Sequence, residues 1–171
     1  MTRSLGALLL LIACSTACGY HAAGHSNLLP SDLRVVAIPA FVNETQTYKI
    51  EQTLTSAVVR EFTTRTNYHV VANPAGADAT LRGTVLAAAT TPLTYDTVTG
   101  RASTVLVIVR MSVALTDSQG RVLYQNGAYV FREQYQISQE LSTFFEEDSP
   151  AFKRLSGEFA RSLVSNILEA F

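Results

Sequence analysis

Three histidines, two cysteines and one acidic run are the residues of this 171-residue chain whose chemistry could go beyond packing. A metal site needs ligands held at fixed, short spacing. His21, His25 and His69 are scattered, and the first two lie in a stretch bearing Gly24 and Ser26, so solvated histidines are expected and no metal. Ser, His and Asp all occur, but no G-x-S-x-G elbow presents a nucleophile, and no Gly-rich loop cradles a phosphate. Glu146-Glu147-Asp148 offers paired carboxylates. They stand just before a helix start, however, where negative charge is favourable for structural reasons alone. No catalytic residue and no cofactor is expected; the chain reads as a binding or assembly protein.

Cys14 and Cys18 are the only cysteines, and both close an export signal. Arg3 supplies its positive start, and Leu5 to Ala13 its apolar segment. Nine helical residues reach about 14 Å against a hydrocarbon core of about 30 Å, so the segment is a signal and not a span. Lipoprotein signals favour an aliphatic residue three places before the modified cysteine and small residues just before it. Leu11-Ile12-Ala13-Cys14 fits that spacing better than Ser15-Thr16-Ala17-Cys18, yet cleavage before Cys14 leaves a signal of only 13 residues, against 17 for Cys18. An ordinary cleaved signal with incidental cysteines is the plain alternative. Neither Ser15 nor Gly19 is the Asp that retains lipoproteins in the inner membrane. The expectation is therefore a lipid-anchored, periplasm-facing protein of the outer membrane. A body without cysteine has no disulfide framework or thiolate metal site and must rely on its own core.

Length allows one domain. Hydrophobic residues make up 47% of the chain, enough for a real core, and the formal net charge of -1 removes any strong electrostatic case for nucleic acid. The expected organisation is a signal over 1–17, a tether over 18–30 and one domain over 31–171, without repeats.

The elements follow from periodicity. Leu33 to Ile38 is apolar on both parities, as a central strand is, and Pro39 ends it; Phe41 to Thr45 reads as a turn. From Thr47 to Thr66 a helix is expected, with Ile50, Leu54, Ala57, Val58 and Phe62 on one stripe. Tyr68 to Val71 is a short strand. In Ala79 to Ala89, Leu81, Val85 and Ala87 share a side. Thr91 to Ser103, with Pro92 and Gly100, is a loose connection. Val105, Val107, Val109, Met111, Val113 and Leu115 share a parity in Thr104 to Thr116; Asp117 to Gly120 turns, and Arg121 to Tyr135 runs back. Ser149 caps a last helix that begins at Pro150, with Phe152, Leu155, Phe159, Leu163, Ile167 and Phe171 on one stripe. The order β-α-β-β-β-β-α predicts an α+β two-layer sandwich: a mostly antiparallel sheet of four to five strands with two helices on one face.

An ordered set of segments resembles the lipopolysaccharide-assembly lipoprotein LptE family. Cys18-Gly19-Tyr20-His21 is similar to its lipidated start. Leu29-Pro30 and Val36-Ala37-Ile38-Pro39-Ala40-Phe41-Val42-Asn43 are similar to its first strand and turn. Ile50-Glu51 with Leu54-Thr55 looks like its first helix. Ala77-Asp78-Ala79-Thr80-Leu81-Arg82-Gly83 resembles the entry to the next long strand, and Val130-Phe131-Arg132-Glu133 with Tyr135 the end of its last strand. On the resemblance, Cys18 carries the lipid.

The resemblance implies a plug inside the outer-membrane β-barrel LptD that helps the barrel assemble and binds lipopolysaccharide on its way to the outer leaflet. Family contacts to that lipid lie in the loop between the two long strands and ahead of the last helix. Arg101 falls in the first region, as a phosphate contact or a solvated loop charge. In the second this chain departs: Gln139 to Pro150 carries Glu140, Glu146, Glu147 and Asp148 and no base. Lys153 and Arg154, one turn into the helix, either replace the missing bases or lie on its wet face. Phe144 and Phe145 either pack under the sheet or touch the barrel wall. The competing reading is a lipoprotein regulator of a cell-wall synthase or a subunit of a secretion channel, since such proteins also carry a strand ending in Pro, then Phe and Asn, before a helix.

Overall fold

A computed structural model of the chain describes residues 33–136, 145 and 150–170. Cys14, Cys18, the tether with His21 and His25, Phe144, the Glu146-Glu147-Asp148 run, Ser149 and Phe171 lie outside the described residues. Six strands form one sheet: β1 (Val35–Ala37), β2 (Val42–Asn43), β3 (His69–Val71), β4 (Ala79–Tyr95), β5 (Ala102–Asp117) and β6 (Val122–Gln136). The described residues also form two helices, α1 (Ile50–Arg65) and α2 (Pro150–Leu168). The strands run in the order β3-β1-β4-β5-β6, with β2 beside β4.

The sheet is mixed, which corrects the expectation of a mostly antiparallel sheet of four to five strands. β1 pairs parallel with both β3 and β4, β2 pairs parallel with β4, and only β4–β5 and β5–β6 are antiparallel. The cause is α1. A strand, a helix and a returning strand close parallel, because the helix carries the chain back to the starting edge. Periodicity reports which face a residue takes, not the direction of its neighbour. The sixth strand lies in the expected turn, where Val42 and Asn43 reach Thr84 and Val85. Asn43 fixes that bend: its amide donates to Thr47 O (2.8 Å) and to Glu51 Oε2 (3.0 Å) at the head of α1.

β4 and β5 also consume most of the expected loose connection, leaving Asp96–Arg101 as the turn. Pro92 does not end β4, since β1 and β2 cover its far side only as far as Val85. Beyond that point β4 is an edge, and a missing N–H there costs no ladder bond. A bulge between Val85 and Ala87 shifts the register, so that Ala88, opposite Val109, packs on the core in place of the expected Ala87, which pairs with Arg110.

Both helices rest on one face of the sheet. Ile50, Leu54, Val58 and Phe62 of α1 are fully buried, as are Leu155, Phe159, Leu163 and Ile167 of α2, and all join Val105, Val107, Val109, Met111 and Leu115 of β5 in one cluster. Phe159 lies edge-on to Tyr129 and to Phe131, with ring centroids 5.9 Å apart in both pairs. Burying each such side chain stabilises by about 1.5–3 kcal/mol. Gly83 is required by this packing: a Cβ there would stand 2.9 Å from Phe41 Cδ1 and 3.0 Å from Met111 Cε. Without it, Phe41 lies across β4, and its amide donates to Thr55 Oγ1 of α1 (3.0 Å).

One carboxylate ties the short parallel strands to the long ones. Asp78 Oδ2 accepts the amides of Arg34 and Val35, each at 2.8 Å, while the Asp78 amide donates to Val35 O (2.9 Å). The amides of Val35 and Arg34 hold this carboxyl below the ordinary aspartate value. A depressed folded pKa contributes stability that is present above the unfolded value, about 4, and is lost as pH falls through the lower folded value. Asp78→Asn should therefore melt below wild type at pH 7, and the gap should close as pH falls below about 4. Melting curves across that range check this; a gap independent of pH would refute it.

Candidate binding surface

The expected site residues divide between a hairpin tip and the start of α2. At the tip, Asp96 organises the turn: its carboxylate accepts the amides of Thr99 (2.6 Å) and Val98 (3.0 Å) and the Thr99 hydroxyl (2.9 Å). Those bonds, the Thr99 amide first, pull its pKa below the ordinary value. Its amide donates to Arg101 O (2.8 Å), and Gly100 turns the chain back at φ +68°. Arg101 is exposed beside that turn. The same tip exposes Leu93, Tyr95 and Val98, the last at 91%. These three were hidden in what reads, by sequence, as a loose connection; the available signal was apolar residues placed between Pro92 and Gly100.

Lys153 and Arg154 are exposed in the first turns of α2. Lys153 borders a concavity of about 420 Å³ between the helices, with Gln52, Thr53, Ser56 and Arg60 of α1. Arg154 faces the opposite flank, where its charge acts on the phenol of Tyr135. Phe145 is half-buried and lies edge-on to Phe152, with centroids 5.5 Å apart.

Two hydrogen bonds orient α2 on β6. Tyr129 donates to Ser162 Oγ (2.8 Å), and Tyr135 donates to Glu158 Oε2. Burial, and after it the bond to the Glu158 carboxylate, hold the Tyr135 phenol far above its ordinary pKa, so it stays protonated and donates. The pairing sets α2 antiparallel to β6, and its first turn points toward the end where β4 and β5 meet. From Val105, which pairs with Tyr135, the hairpin runs on about seven residues, or about 23 Å. The five residues from Glu158 back to Lys153 span only about 8 Å. Arg101, Lys153 and Arg154 thus share one end of the domain, with Arg101 about 5 Å and the hairpin tip about 15 Å further out.

Among the described residues no group of His, Cys, Asp and Glu could hold a metal ion, and no buried side-chain polar atom lacks a partner. No described helix is long and apolar enough to cross a membrane. What the end of the domain offers is exposed bases beside exposed apolar side chains.

The family model described as LptE: Lipopolysaccharide-assembly matches residues 33–167. No curated protein sequence matches the chain. Among solved structures, a dodecamer of a PelC point variant from Paraburkholderia phytofirmans is 17% identical, and the alignment covers 79% of this chain and 89% of that one at a TM-score of 0.52. Uncharacterized lipoprotein B from Nitrosomonas europaea is 15% identical, with coverages of 82% and 84% and a TM-score of 0.50. Rare lipoprotein B from Shewanella oneidensis is 14% identical, with coverages of 80% and 95% and a TM-score of 0.50. At these identities the likeness establishes the fold that the three share with this chain.

Proposed function

The chain belongs to the LptE family of lipopolysaccharide assembly, and we propose that it is an outer-membrane lipoprotein that plugs the LptD β-barrel, assists its assembly and binds lipopolysaccharide in transit to the outer leaflet. The observation that carries this reading is the family match, which runs from the residues just before β1 to the last turn of α2 and so spans the whole folded domain. The protein acts by docking, without turnover and without a cofactor.

Three physical features support it. A large barrel has a polar lumen, and a cysteine-free α+β domain with a closed core and polar outer surfaces suits that setting. Acyl chains on Cys18, with Cys14 as the alternative, hold the domain beside its partner and raise its effective concentration there. Arg101 on the projecting hairpin, with Lys153 and Arg154 behind it, supplies cations at one end of the domain for charge-assisted bonds to lipid phosphates. Tyr95 and Val98 beside Arg101 give that tip an apolar surface suited to an amphiphile.

Crosslinking in native outer membranes followed by pull-down should recover a large β-barrel with this protein; recovery with a cell-wall synthase or a secretion channel, and never with a barrel, would overturn the reading. Cys18→Ala should abolish palmitate labelling; label lost only in Cys14→Ala would move the anchor. Arg101→Glu should weaken lipopolysaccharide binding about ten- to a hundredfold, the loss of one charge-assisted contact of about 1.5–3 kcal/mol, with the melting temperature unchanged. Unaltered affinity would remove Arg101 from the site.

A further inference from the structure

The face of β4, β5 and β6 opposite the helices is basic, and no described element covers it. β5 alternates cleanly: Val105 to Leu115 at odd positions is buried under the helices, so the even positions point away. Register assigns their neighbours. Arg110 lies between Ala87 and Val130, Ile108 between Ala89 and Arg132, and Arg82 pairs with Ala114. Arg82, Arg110 and Arg132 are all exposed. Along β5 they spread over about 20 Å, at about 3.4 Å per residue, and across three strands at about 4.8 Å each.

These strands carry only two carboxylates, and neither neutralises that face. Asp117 is held in the β5–β6 turn by the Arg121 amide (2.8 Å), the Gln119 amide (2.9 Å) and the Arg121 guanidinium (3.0 Å). Glu133 shares the parity of Phe131 and Tyr135 and pairs with Val107, which puts it on the helix side. Among the described residues no carboxylate pairs with Arg82, Arg110 or Arg132.

We infer that this helix-free face docks on an acidic protein surface, through Arg82, Arg110 and Arg132 set among Leu106, Ile108 and Val130. The inference rests on the plug reading for its partner, whose lumen wall supplies the carboxylates. Charge complementarity is the main argument: three arginines and no acid on one face steer and register a surface of opposite sign. Shape is the second. The face is broad; the concavity between β6 and α2 reaches its edge at Val130 and Arg132, and those between the helices and at the Asp117 end lie elsewhere. Its aliphatic side chains Leu106, Ile108 and Val130 are half-buried between strand neighbours, so they do not stand proud enough to enter a bilayer. Arginine flanked by half-buried aliphatic residues is the composition of a protein interface core. Three strands by about twelve residues offer roughly 600 Å², most of the about 800 Å² per partner of a stable complex.

The test uses the full-length protein in native outer membranes. A photocrosslinking residue is placed at Ile108 on this face or at Ser56 on the exposed side of α1, and adduct peptides are sequenced by mass spectrometry. Protein adducts from Ile108 onto peptides bearing Asp and Glu, well above those from Ser56, are expected. Arg82→Glu/Arg110→Glu/Arg132→Glu should cut recovery of the crosslinked partner about tenfold, while the Lys triple retains most of it. Melting of the domain shows whether each triple folds, and the Ile108 adduct decides in wild type if one does not. Adducts to lipid alone, protein adducts on surfaces without carboxylates, or full recovery by the Glu triple would each overturn the inference. Failure of the plug reading is separable: it appears as absence of a barrel from the wild-type pull-down, whereas the Ile108 adduct reports on the face whatever the partner's identity.

Discussion

Six buried side chains on one parity of β5, Val105, Val107, Val109, Met111, Val113 and Leu115, make the surface on which everything else rests. Both helices bury their stripes against it, with Phe159 of α2 fitted edge-on between Tyr129 and Phe131 of the neighbouring strand. The domain has no cysteine after residue 18 and no metal cluster among its described residues, so this apolar contact carries its stability. The hydrophobic effect is non-directional. Directional bonds therefore fix the pieces: Tyr129 to Ser162 and Tyr135 to Glu158 set α2 along β6, and Phe41 N to Thr55 Oγ1 sets α1 against the bend after β1.

Loading both helices on one face has a consequence for the other. The strands β4, β5 and β6 run far longer than the parallel strands β1 to β3, so they extend beyond the helices at one end, and no described element covers their far side. The extension is the hairpin tip with Arg101; the uncovered side carries Arg82, Arg110 and Arg132. This architecture leaves two surfaces that the described fold does not use while keeping a closed core. Asp96 and Asp117 serve the turns at the two ends of β5, each taking backbone amides.

The helices were legible because each repeats its apolar residues at three and four over more than three turns, and β5 because its alternation never breaks. Pro150 as the first residue of α2 followed from its fixed φ and missing donor. The Asp117 to Gly120 turn followed from residue chemistry, and Gly120 does adopt φ +83°. β1 read as central because it is apolar on both parities, and it lies between β3 and β4. Misreadings fell where a local rule was overridden. Pro92 suggested a break but stands where β4 has no second neighbour, and the bulge at Leu86 exchanged Ala87 for Ala88 on the core side.

Sequence alone determined what is periodic or local: the elements and their buried faces, the expected export signal with its paired cysteines, the lack of any recognisable catalytic motif, and an ordered resemblance that the family match over residues 33–167 upholds. Tertiary structure decided what depends on partners distant in the chain. Strand direction is one such property, because the crossover through α1 makes β1 and β3 parallel and no pattern within either strand records it. The grouping of Arg82, Arg110 and Arg132 on one face is another. Each arginine looks like an isolated surface charge within its own strand, and only the register of three strands, which the packed core enforces, brings them together.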